Sequence, residues 1–104
     1  MQAALRLLIL TEINNMHIAV NKFGDFLMSR PAGREAILMA NAYVFKDINE
    51  EDEIILDFEG VKVLAPSWAD EFIAGIKSQF SNDIQYINTE NPSVKASLKT
   101  VLQP

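Results

Sequence analysis

Cysteine is absent from this 104-residue chain, which removes disulfides, thiol catalysis and zinc–thiolate sites together. There is one histidine, His17, and a lone imidazole without clustered ligands does not make a metal site. No serine sits in a Gly-x-Ser-x-Gly elbow, so a serine nucleophile is not expected. The glycines are Gly24, Gly33, Gly60 and Gly75, too scattered to form a phosphate-cradling loop. Basic residues are in the minority, 9 against 14 acidic, giving a net charge of −5 and a pI near 4.7. Such a chain repels phosphate backbones and anionic lipid, so neither nucleic acid nor a membrane surface is an expected partner. No cofactor is implied. The lack of thiols suits a reducing cytoplasm, the expected location.

What is present is an ordinary globular composition, with 49% hydrophobic and 22% charged residues. The length suits one domain over residues 1–104 with a single modest core. The opening "MQAALRLLIL" has no basic segment ahead of it, is interrupted by Arg6, and is shorter than the ~20 residues of a membrane span. It reads as part of the fold.

Leu5, Leu7 and Ile9 alternate as in a strand, although leucine and alanine also favour helix. "HIAVNKF" (17–23) alternates more clearly, and "TEINNM" is a suitable hairpin connection between the two. Pro31 opens a predicted helix over 31–45, with Ile37, Ala40 and Val44 at helical spacing. The acidic "DINEEDE" (47–53) reads as a solvated loop, because a calcium loop would need a glycine and a terminal glutamate that are missing. "IILDF" (54–58) fits a central strand. A second helix from about Ser67 to Phe80 places Ala69, Phe72, Ile73, Ile76 and Phe80 on one face. "DIQYIN" (83–88) is a further strand, and Asn91 with Pro92 opens a last helix carrying Val94, Leu98 and Val101. The order β-β-α-β-α-β-α predicts a small α/β domain with a mixed sheet of four or five strands and three main helices. Its core should include Ile55, Leu56, Val61, Leu64, Phe72 and Ile76, and its N-terminal strand should be antiparallel at an edge.

The chemistry centres on "LDFEGVKVLAPSWADEF" (56–72). Ser67-Trp68-Ala69-Asp70 fits a capping box, in which the hydroxyl accepts from a first-turn amide while Asp70 reaches back. The same place suits a phosphoserine, since a helix N-terminus favours an added anion, though Asp70 and Glu71 would repel it. Trp68 is either an aromatic anchor for a partner or part of the core. Asp57 at its strand end, with Asp70 or Glu71, is the one candidate acid/base pair. Carboxylates in a helix's first turn, where acids are expected anyway, are the plainer explanation of Asp70 and Glu71.

That stretch, together with "FGDFLMSRPAG" (23–33) and "NTENPSV" (88–94), resembles the STAS-like family of unknown function. This family is akin to the STAS domains of sulfate transporters and anti-sigma factor antagonists. The similarity runs from about residue 17 to 102, and is most specific at Ser29-Arg30, "LDFEGV" and "SWADE". Bacterial anti-sigma antagonists carry an Asp-Ser-Ser-Gly loop, whose second serine is phosphorylated by a histidine-kinase-like ATPase. The resemblance carries that serine onto Ser67, with Ala65, Pro66 and Trp68 at the other three positions. It implies a non-enzymatic, protein-binding regulator whose partner is such an ATPase or an anti-sigma-type protein. Docking would use residues 64–72, with Pro66, Ser67, Trp68, Asp70, Glu71 and the nearby Asp57 as partner-binding or phosphorylation candidates. A small enzyme built on Asp57 and Asp70 or Glu71, and a structural module that dimerises through its apolar N-terminal segment, are the alternatives.

Overall fold

A computed structural model describes residues 15–103. Strand β1 (Asn15–Ala19) runs into a single 3-10 turn (Val20–Phe23), followed by the short β2 (Phe26–Leu27) and helix α1 (Arg30–Tyr43). A second 3-10 turn (Phe45–Asp47) leads to β3 (Glu53–Asp57), β4 (Val63–Leu64) and α2 (Pro66–Gln79). Strand β5 (Ile84–Ile87) and α3 (Pro92–Leu102) complete the described chain.

The main sheet has the order β1-β3-β5, and a two-residue ladder joins β2 to β4. Every pairing among the described residues is parallel. The expected mixed sheet therefore does not appear there: three strands form the sheet and two more form a separate ladder. The antiparallel hairpin expected from Leu5, Leu7 and Ile9 lies outside the described residues. β3 is central, as its β-branched run predicted, with Ile54 and Leu56 both 0% exposed. The alternation in "HIAVNKF" buries Ile18 and Val20, but the strand ends at Ala19. Gly24 takes φ 127°, and its N–H bonds Asn21 O at 3.0 Å, which turns the chain early.

Of the predicted core, Leu56, Val61, Leu64, Phe72 and Ile76 are buried, whereas Ile55 is half-buried on the sheet's other face. Trp68 stacks on Phe72 at 4.9 Å and lies within 6.2 Å of Phe23, so three rings fill the space beside α1. Helices α1 and α2 meet through two glycines. A Cβ on Gly33 would lie 2.8 Å from Trp68 O, and one on Gly75 would lie 2.6 Å from Ile37 Cγ1. α3 closes the edge of β4: Ser93 Oγ accepts from Leu64 N at 3.0 Å, and the Ser97 hydroxyl donates to Leu64 O. Asn91 caps α3 as expected, accepting from Ser93 N and Val94 N.

The acidic loop is less solvated than its composition suggested. Asp52 is 7% exposed and accepts from Asn49 N, while Asn82 donates to three carbonyls of the same loop. No helix among the described residues is long and apolar enough to cross a membrane.

Candidate functional site

The start of α2 differs from the capping box in its local chemistry. Pro66 has no N–H to satisfy and a φ already suited to helix, so it takes the first helical position and moves the cap back to Ala65. The Ala65 side chain cannot accept a hydrogen bond, and α2 has no side-chain cap. Ser67 is thus a first-turn residue, and the capping-box expectation is corrected. Asp70 and Glu71 fall beyond the first turn, which contains no acid.

Both carboxylates turn instead to α1. Arg30 Nη1 donates to Asp70 Oδ2 at 3.0 Å and to Glu71 Oε1 at 3.0 Å, and Arg34 Nε donates to Glu71 Oε2 at 3.2 Å. The two guanidinium groups, Arg30 first, hold the Glu71 carboxyl below its ordinary pKa. Ser29 caps α1 by accepting from Ala32 N, so the "SR" pair performs two tasks: one residue starts the helix and the next ties it to α2. Beside this network is an open groove of about 400 Å³, lined by Arg30, Pro66, Ser67, Asp70, Thr100 and Val101.

Asp57 belongs to a different group. Its Oδ1 accepts from Asn88 Nδ2 at 2.8 Å and Glu59 N at 2.9 Å, and its Oδ2 lies 2.9 Å from His17 Nε2. The Asn88 amide is the main reason its carboxyl is held below the usual range, with the Glu59 amide and His17 adding to it against the effect of burial. An ionised carboxylate only accepts, so His17 presents Nε2–H to it. Asn88 reaches this position through a φ of 56°, a left-handed conformation that asparagine tolerates better than most residues. One carboxylate thereby joins β1, the turn after β3 and the exit of β5.

The structure therefore brings Pro66, Ser67 and Asp70 to one groove, with Glu71 just behind it, and leaves Asp57 elsewhere. Asp57 shares no hydrogen-bond partner with Asp70 or Glu71. Asp57 and Glu71 are each held below their ordinary pKa by separate partners, Asn88 first for Asp57 and Arg30 first for Glu71. Trp68 is 2% exposed and packs inward, so it supports the site rather than offering an anchor. His17 is half exposed and has Asp57 as its partner. Sequence reasoning missed Arg34, Thr100 and Val101 at the site, because only the packing of α1 and α3 beside α2 brings them there.

A family model described as a STAS-like domain of unknown function (DUF4325) matches residues 42–94, from the end of α1 into the first turn of α3. No curated protein and no solved structure matches the chain. With three helices on parallel strands and a family match spanning half its length, the chain belongs to the STAS-like family.

Proposed function

We propose that this domain is a non-catalytic, cytoplasmic regulator that binds another protein through the groove at the start of α2, with Ser67 as a phosphorylation switch. One observation carries the reading: Ser67 lines an open groove, and its hydroxyl is not used as the cap of the helix it helps to start. The partner class, a histidine-kinase-like ATPase or an anti-sigma-type regulator, follows from the family's kinship with anti-sigma antagonists. A phosphate on Ser67 would add nearly two negative charges beside Asp70 and within the same groove as Arg30. The surface offered to a partner would then go from charge-balanced, Arg30 against Asp70, to negative.

The test uses three baits: the wild-type chain, Ser67→Ala and Ser67→Asp. Wild type and Ser67→Ala are expected to retain an ATPase or anti-sigma-type protein that Ser67→Asp loses. Equal retention by all three, measured by titration with the purified partner, contradicts the switch.

A further inference from the structure

β5 is an edge of the main sheet among the described residues, and its outer side carries an unusual groove. Asp83 O, just before β5, accepts from Ile54 N and Ile87 O, at its end, accepts from Phe58 N, so both carbonyls face β3. In a parallel ladder the alternate residues, Ile84 and Tyr86, then turn their N–H and C=O groups to the open edge. Unpaired backbone groups of this kind are a template for another strand.

Side chains continue the same feature. Two hollows of about 410 and 380 Å³ meet at Tyr86 and Leu102, making one trough between β5 and α3. Ile84, Tyr86, Leu98 and Leu102 give it an apolar floor, and burial pushes the Tyr86 phenol pKa up. Leu102 is 37% exposed, a large apolar surface left open beside a bare strand edge. The rim is basic. Lys95 and Lys99 flank the end next to Thr89, and Lys77 stands at the other end with Asp83. None of these lysines makes an ion pair among the described residues. In a chain of net charge −5 with nine basic residues, three lysines on one trough are a local reversal of sign.

We propose that this trough docks an extended segment of a partner protein, added as a parallel strand to β5. The segment would place alternate apolar side chains on the floor and acidic residues at its C-terminal end, against Lys95 and Lys99. Backbone pairing to Ile84 and Tyr86 would contribute affinity, and the floor and lysines would contribute selectivity. The trough shares no lining residue with the Ser67 groove, so the two contacts are separable.

The probe is a fluorescein-labelled peptide, Thr-Val-Thr-Val-Thr-Glu-Glu, titrated into the full chain by anisotropy. Saturable binding is expected, with amide shifts in NMR spectra concentrated at Ile84 and Tyr86. Binding should weaken at least tenfold for a copy N-methylated along one backbone edge, and equally for one ending in Lys-Lys. The Lys95→Glu/Lys99→Glu double variant, checked for an unchanged melting temperature, should lose binding of the original peptide to the same degree. Equal binding of the methylated copy would reduce the effect to charge adsorption and overturn strand addition. Absence of saturable binding overturns the proposal outright, as does laurate binding at this trough with no peptide binding.

Discussion

Arg30 Nη1 stands 3.0 Å from both Asp70 Oδ2 and Glu71 Oε1, so the first residue of α1 grips α2 beside Ser67. Arg30 is also the first influence holding the Glu71 carboxyl below its ordinary pKa, with Arg34 second. Replacing Arg30 by methionine should move the Glu71 titration upward, toward its ordinary value, when followed by side-chain carbon NMR. An unmoved titration would mean that Arg34 alone governs Glu71.

Ser67→Ala should leave stability within about 0.5 kcal/mol of wild type, as for surface positions without a structural task. Asn91→Ala should cost about 1 kcal/mol, because Asn91 accepts from two amides of α3. Denaturant unfolding of the two variants side by side compares a real cap with a nominal one. Equal losses would restore Ser67 to a capping role.

Gly33→Ala should destabilise by about 1–3 kcal/mol, since the new methyl meets a backbone carbonyl that cannot rotate away. The change lies at the α1–α2 contact, so it should also broaden the NMR signals of Trp68. A neutral thermal midpoint would show that the helices separate easily at this crossing.

Asp57 gives a pH prediction with a definite sign. Its carboxyl is held below its ordinary value in the fold, so its contribution is complete above that ordinary value and is lost as pH falls through the depressed one. Stability should be level from pH 7 to about 5 and decline below about 4. Asp57→Asn should be less stable at pH 7, with a shallower acid decline. An acid limb of the same slope in both proteins would assign the decline to other carboxylates.

Where one element's own residues decide its form, the fold was legible in the sequence. β3 announced itself through Ile54 and Leu56, and α3 through Asn91, Pro92 and its stripe of Val94 and Leu98. Two-residue strands carry no periodicity, so local spacing does not reveal β2 and β4, although Phe26 pairs with Val63. The Ser67 cap failed by two positions, because Pro66 claims the helix start on geometric grounds that a hydroxyl-based motif ignores. Arg30 with Glu71, and His17 with Asp57, join residues about 40 positions apart. Such contacts depend on how helices and strands are stacked, which local spacing does not encode.

The most direct test of the account is site-resolved mass spectrometry of the protein isolated from its native cells, with phosphate occupancy quantified on each serine and threonine. The account predicts a phosphorylated fraction at Ser67 that shifts with growth condition, and none at the capping Ser29 or the buried Ser97. Phosphate consistently absent from Ser67 while the partner is bound and released would contradict the switch.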